Sequence, residues 1–501
     1  MGENMIGQVL SIVFNPTVLL CIFLGVGGGI CIGALPGLTS TMGVALLLPL
    51  TFGMDAQNGI LLLLGIYIGA VYGGSISAIL LHTPGTPASA ATVIDGYEFS
   101  KRGEGGRALG ISTLSSFIGG VVSCLMLMLI SPQLAKLALR FSDAEYALLA
   151  IFGLSIILSV SGKSLMKGLI AGCVGFILSM VGVDRITGNL RFTFGSVNMI
   201  GGISYVPVMI GLFAMSQCFN TVEEMTKKEN RKPVKISKVF PKRDDLKVCL
   251  KYAPISGLIG TFIGIIPGAG TEIGAFVSYN LAKNMSKNPE KFGTGVPEGI
   301  AAPEGGNNGV TGGAMIPMLT LGVPGDSVAA IMIGALTIQG LQPGPLLFRD
   351  QKPLMFAIFI GLFVANCAML FYGMSCQKLF AKVLSIPKEI LTPIIFVLCV
   401  IGSYALNNSF FDVGLMLVFG IIGYFMNKAE VSVSPMMLGM ILGSMAELHF
   451  RTALVKSDGG LGIFVGSPIA IIFLILTIVS FGHPVFSKLL KSLKNKKEKD
   501  N

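Results

Sequence analysis

Residues 60–89 read ILLLLGIYIGAVYGGSISAILLHTPGTPAS. From Ile60 to Leu81 there is no charged residue, and a helix of that length spans a hydrocarbon core of about 30 Å. The run ends at Thr83-Pro84-Gly85-Thr86, with Ser89 close behind. Proline and glycine stop a helix and free backbone N–H and C=O groups. In lipid that is tolerated only where the break faces protein or a watery cavity. The stretch therefore predicts a membrane helix that stops at a functional break.

The same pattern recurs. Gly73-Gly74 is followed by nine residues and then Pro84-Gly85; Gly312-Gly313 is followed by ten residues and then Pro324-Gly325. Upstream of each stands a second break, Gly33-Ala34-Leu35-Pro36-Gly37 in the first half and Gly264-Ile265-Ile266-Pro267-Gly268 in the second. The paired motifs are 231 and 240 positions apart and keep the same order, which predicts an internal duplication.

Composition agrees with a bilayer as solvent. Of 501 residues, 52% are hydrophobic and 12% charged, against about 25% charged in soluble domains. Apolar runs continue along the chain and predict about ten to fourteen spanning or half-spanning segments. All read as helices, because the runs are too long for barrel strands. The net charge of +10 does not point to nucleic acid. Ten Lys or Arg lie between Lys227 and Lys251, six Lys lie between Lys488 and Asn501, and Trp is absent, so no aromatic stacking platform accompanies the charge. Nine scattered cysteines form no CxxC pair and read as apolar filler. Met1 to Leu10 hold no Lys or Arg, so a cleaved signal peptide is not expected.

The basic stretch divides the chain. The expected organisation is a first transmembrane repeat at 1–222, a basic cytoplasmic linker at 223–251, a second repeat at 252–484 and a basic cytoplasmic tail at 485–501. Positive segments stay inside, so linker and tail share the cytoplasmic face and the N-terminus is periplasmic. An odd number of crossings then separates the N-terminus from the linker, and the two repeats enter the membrane from opposite sides. Inverted repeats of broken helices are typical of secondary transporters.

A broken helix presents a half-helix N-terminus with a partial positive charge and free N–H donors. Small polar residues follow each break: Thr39 and Ser40 after Gly37, Thr86 after Gly85, Thr271 after Gly268, and Asp326 and Ser327 after Gly325. Hydroxyls and helix N-termini suit a carboxylate ligand. Gly37, Thr39, Ser40, Thr86, Gly268, Thr271 and Ser327 are the expected substrate-binding residues; Gly85, Gly325, Asp326 and Asn307 are the expected coupling-ion residues. Ionisable groups inside a membrane default to function, which draws attention to Glu272, Glu298 and Glu304 as well. Glu304, beside Asn307 and Asn308, reads as a lining or capping residue. His82 reads as a packing residue at a helix end, and His449 and His483 have no second metal ligand at the right spacing. Ser-His-Asp order, a Walker motif and GxGxxG are all missing, so neither an enzyme nor an ATP-coupled pump is expected.

These residues resemble the large membrane subunit of tripartite tricarboxylate transporters, the TctA-type permease. The resemblance rests on Gly33–Thr39, Gly73–Gly96 (with Ile94-Asp95-Gly96-Tyr97), Pro267–Gly274, Val296–Asn308 and Gly322–Ser327, and covers roughly residues 10 to 480. It implies a bacterial inner-membrane protein, a small membrane partner subunit, a periplasmic solute-binding protein, and uptake of carboxylates driven by a sodium (or proton) gradient, with no other cofactor. Gly305-Gly306 and Gly466-Ser467-Pro468 depart from the family pattern, which is Ala-rich at the first and often has Arg before Pro at the second. The expectation is thus an all-α polytopic membrane protein with two inverted-topology repeats, broken helices and re-entrant hairpins: an elevator-like importer of small carboxylates. The alternative is a passive channel or exporter of organic anions that works without a binding protein.

Overall fold

The computed structural model describes residues 2–155, 164–224, 239–384, 386 and 388–480. Residues 225–238 of the basic linker and all of the tail at 485–501 lie outside them. Among the described residues the chain is helical apart from one antiparallel ribbon, Gly182–Val183 with Leu190–Arg191. In chain order the helices are α1 (Gly2–Val13), α2 (Pro16–Ala34), α3 (Ser40–Leu47), α4 (Ala56–Leu81), α5 (Ala90–Lys101), α6 (Gly105–Ala138), α7 (Asp143–Ser155) and α8 (Leu165–Ser179). Next come α9 (Tyr205–Glu223), with a π-turn inside it at Ile210–Met215, α10 (Arg243–Ile265), α11 (Gly270–Met285), α12 (Glu298–Leu321) and α13 (Ser327–Ile338). The rest are α14 (Pro345–Asp350), α15 (Lys352–Ser375), α16 (Gln377–Val383), α17 (Lys388–Asn407), α18 (Phe410–Lys428), α19 (Ser434–Lys456) and α20 (Pro468–Ser480). Eight of those described are long and apolar enough to cross a membrane: α2, α4, α6, α9, α10, α15, α17 and α18; α3, α8, α13 and α20 are shorter apolar helices. The chain is an all-α, multi-pass membrane protein.

Backbone contacts form two compact units. The first holds residues 1–136 and 206–424; the second holds 137–205 and 425–501. Each draws on chain from both sides of the basic segment.

The centre of the first unit is α4 and α12. Both are buried almost end to end; α4 is largely apolar, whereas α12 carries Glu304, Asn307 and Asn308 into the interior. Each is flanked by a partner that reaches it through glycine. A Cβ on Gly29 or Gly33 of α2 would stand 2.3 Å from Ile66 O or 2.1 Å from Ala70 O of α4. A Cβ on Gly260 or Gly264 of α10 would stand 2.0 Å from Gly306 O or 2.7 Å from Val310 O of α12. Small residues let membrane helices meet backbone to backbone, where dispersion and polar contacts replace the missing hydrophobic drive.

The ends of these helices correspond as well. The caps of α2 and α10, Leu35 and Ile266, are both extended (φ −78°, ψ 116° and φ −79°, ψ 113°), and each donates its N–H to the third residue back. The caps of α4 and α12, His82 and Gly322, are both left-handed (φ 57° and 72°). Gly37 and Gly268 have φ of 94° and 79°. The cap pairs repeat the 231 and 240 spacings of the sequence motifs. His82, an unusual non-glycine in this conformation, stacks on Tyr97 at 4.4 Å.

In the second unit α19 packs against α7 and α8. Gly175 and Gly439 make the close approach there, to Met436 O and Gly172 O. An ion network ties the ribbon to α19: Arg191 to Glu447, Arg451 to Glu447 at 2.9 Å, and Arg451 to Asp184 at 2.9 Å. Asp184 also accepts from Ile186 N and Thr187 Oγ1. The Arg451 guanidinium, and then these two bonds, hold its carboxyl well below the usual carboxylate range.

Candidate functional site

Every residue expected at the site belongs to the first unit. Thr39 is the N-cap of α3; its Oγ1 accepts from Met42 N at 3.1 Å, and Ser40 behind it is buried. Thr86 precedes a short turn at Pro87–Ser89. Its side chain is buried, and its Oγ1 has no hydrogen-bond partner among the described residues. Thr271 stands in the first turn of α11, half-buried, with Glu272 exposed beside it. Asp326 caps α13, accepting from Ala329 N at 2.7 Å, and receives Tyr67 OH of α4 at 2.5 Å on its other oxygen. Ser327 follows as the first residue of that helix.

The breaks touch within each half. A Cβ on Gly85 would stand 2.1 Å from Gly33 O, and one on Gly325 would stand 2.4 Å from Gly264 O. Gly85 N donates to Gly74 O at 3.2 Å, and Gly268 N donates to Gly325 O at 2.7 Å. Gly37, by contrast, is exposed, with only Gln217 Nε2 near the position of a Cβ, at 3.5 Å.

The halves also touch each other, crosswise. The segment after the first break, α3, packs against α13, which follows the fourth. The segment after the third break, α11, packs against the Pro87–Ser89 turn, which follows the second. Asn307 of α12 donates to Ala88 O at 3.0 Å, and Asn308 donates to Asn307 Oδ1 at 2.7 Å. The four breaks are thus linked pairwise, within each half and across the halves, and no Lys or Arg stands among the residues named at them.

Two carboxylates show more than the sequence suggested. Asp95 is fully buried, and its Oδ1 accepts from three backbone N–H groups, Gly293 (2.9 Å), Gly295 (2.8 Å) and Val296 (3.0 Å), while Oδ2 takes Tyr279 OH at 2.9 Å. It fastens α5 to the turn that leads into α12, where Glu298 stands in the first helical turn. Glu304 is fully buried among Ser75, Thr92 and Ser116. Sequence reasoning named Glu304 and the motifs containing Asp95 and Val296 but paired neither carboxylate with its partners, and it missed Tyr67. The available signal for Tyr67 was a phenol inside an uncharged helix, which in a bilayer needs a polar partner.

A family model described as "Tripartite tricarboxylate transporter TctA family" matches residues 19–438. The chain is 36% identical over 485 residues to an uncharacterized 52.8 kDa protein in the TAR-I ttuC' 3' region of Agrobacterium vitis; the alignment covers 97% of this chain and 96% of that protein. It is 37% identical over 239 residues to an uncharacterized protein in the TAR-II ttuC' 3' region of the same organism, covering 48% of this chain and 97% of that one. No solved structure matches it. With the family match extending over most of its length and taking in all four helix breaks, the chain belongs to the TctA family of tripartite tricarboxylate transporters.

Proposed function

We propose that the chain is the permease subunit of a binding-protein-dependent secondary transporter that imports small tri- or dicarboxylates with sodium. The observation that carries this reading is the crosswise meeting of four helix breaks in one unit, with Thr39, Thr86, Asp326 and Asn307 at the junctions. The substrate residues are Gly37, Thr39, Ser40, Thr86, Gly268, Thr271 and Ser327. Helix N-termini and hydroxyls supply roughly 0.5–1.5 kcal/mol each, so a carboxylate held by several of them binds weakly enough to be released. Tight capture belongs to a periplasmic binding protein, and a small membrane subunit completes the system. The coupling ion is placed by this proposal near Gly85, Gly325, Asp326 and Asn307, where a cap carboxylate and break carbonyls offer oxygen.

The two halves are read as inverted repeats, supported by caps and glycine seams that match at offsets of 231 and 240. The protein sits in the bacterial inner membrane with its N-terminus periplasmic and its C-terminus cytoplasmic, and the site-bearing helices move in an elevator-like manner. The experiment is uptake of labelled citrate and dicarboxylates into liposomes. Uptake is expected only with the small subunit, the loaded binding protein and an inward sodium gradient. Saturable uptake at low micromolar ligand by this chain alone would overturn the binding-protein dependence. Flux that ignores the sodium gradient would make it a passive pore.

A further inference from the structure

Glu304 lies in α12, one turn before Asn307, and no part of it reaches solvent. Ser75 Oγ of α4 and Thr92 Oγ1 of α5 each donate to its Oε1 at 2.5 Å, and Ser116 Oγ of α6 donates to its Oε2 at 2.8 Å. Ser112, one turn earlier on α6 than Ser116, is buried too, and its hydroxyl has no hydrogen-bond partner among the described residues. Among the described residues no Lys, Arg or His pairs with Glu304, and the side chains that hydrogen-bond its carboxyl are the hydroxyls of Ser75, Thr92 and Ser116.

An isolated carboxylate in a low-dielectric interior is penalised by several kcal/mol even after relaxation. Hydroxyl donors lessen the penalty but leave the charge. One positive charge is needed to close the balance, and the surroundings say which kind. One carboxylate balances a monovalent ion, and oxygen-only donors select a hard one. A proton needs a single acceptor atom; three hydroxyl oxygens on one carboxyl, with the unpartnered Ser112 hydroxyl one turn along α6, offer the oxygens of a coordination shell. Hydroxyls turn freely, so those that donate to Glu304 can present lone pairs to an ion seated between them.

We propose that Glu304, with Ser75, Thr92, Ser112 and Ser116, forms a binding site for one sodium ion. The ligands come from α4, α5, α6 and α12, so the ion bonds α12 to three helices from the other half of the chain. One turn along α12, Asn307 holds the carbonyl of Ala88 beside the second break, which gives the ion a short mechanical route to the substrate residues. The site deepens the sodium-coupled reading, and it is separate from the carbonyls and Asp326 invoked there.

The test measures binding, not transport. Thermal unfolding of the purified chain is followed in sodium, potassium and choline chloride at equal ionic strength. Sodium is expected to raise the melting temperature saturably, and potassium and choline are not. Glu304→Gln, close in shape and still an acceptor, is expected to fold and lose the sodium response. Ser75→Ala, Thr92→Ala and Ser116→Ala are each expected to raise the sodium midpoint about 10-fold or more, by analogy with lost metal-supporting groups, and they carry the test if the Gln variant does not fold. Glu272→Gln, on an exposed side chain, is expected to respond like the unaltered chain. An unaltered sodium response in Glu304→Gln, or no sodium response in the unaltered chain, overturns the site. A melting temperature that follows pH and ignores sodium assigns Glu304 to a proton and overturns it too. A sodium shift that persists in a protein shown not to transport carboxylates would leave this site standing and sink the import reading alone.

Discussion

At the scale of single residues, backbone contact decides which glycines tolerate a side chain. Gly85→Ala and Gly325→Ala would drive a Cβ against Gly33 O and Gly264 O, atoms that cannot rotate away. Each is expected to lower stability by about 1–3 kcal/mol, the usual range for overpacking, and to abolish uptake. Gly37→Ala meets almost nothing but sits at φ 94°, so its expected loss is confined to backbone strain of about 1–2 kcal/mol. Melting temperatures of correctly inserted variants check the order; Gly37→Ala less stable than Gly325→Ala would refute it. Asp326 offers a cleaner separation of roles. Asn caps a helix about as well as Asp, so Asp326→Asn is expected to keep the wild-type melting temperature and to shift the sodium dependence of uptake. Asp326→Ala is expected to lose roughly 1 kcal/mol as the cap is removed. Equal melting temperatures for the two variants would show that the cap bond to Ala329 contributes nothing. The Pro-Gly signals were legible because a break acts on its own backbone: helices end beside Pro36, Pro84, Pro267 and Pro324. The partners of Glu304 were not, since Ser75, Thr92 and Ser116 lie on three helices and look like ordinary small residues in apolar runs.

At the scale of elements, the turn before α12 is held by one side chain. Asp95 accepts from the N–H groups of Gly293, Gly295 and Val296; Gly295 is buried, and a buried N–H left unpaired costs about 1–3 kcal/mol. Asp95→Ala is expected to loosen residues 288–297 and raise their amide hydrogen exchange by an order of magnitude or more, while exchange in the second unit stays unchanged. Protection at 293–296 equal to the unaltered chain would mean that the turn holds itself. The sequence displayed Asp95 only as part of a motif. Its target lies about 200 positions downstream, a pairing that local pattern does not encode. The same limit explains the two units: that residues 137–205 assemble with 425–501 follows from helix packing between distant segments, whereas apolar periodicity reports each helix separately.

At the scale of the molecule, the two units respond to different variables. The second depends on the Asp184–Arg451–Glu447 network. The folded value of Asp184 is depressed, so the folded chain binds fewer protons there than the unfolded one. Its stabilisation is complete above the unfolded carboxylate value of about 4 and fades as pH falls below that value toward the folded one. Arg451→Gln is therefore expected to lower the melting temperature at pH 7 and to approach the unaltered chain as pH drops toward 3; a gap that stays constant with pH would remove Asp184 from the account. The charge asymmetry makes a second claim at this scale. Lys238 and Lys494, both outside the described residues, are expected on the same face of the membrane, and cysteine labelling from either side tests it; opposite faces would end the inverted-repeat reading. The seams in the first unit carry a further implication. Where α2 meets α4 and α10 meets α12, carbonyl oxygens occupy the space that side chains fill elsewhere, so no rotamer change can let one helix slip past its partner. Each pair is thus locked together at these contacts like a double beam. Any stroke that carries cargo must then be made by displacing whole beams, or by flexing the short arms α3 and α13 that begin at their ends.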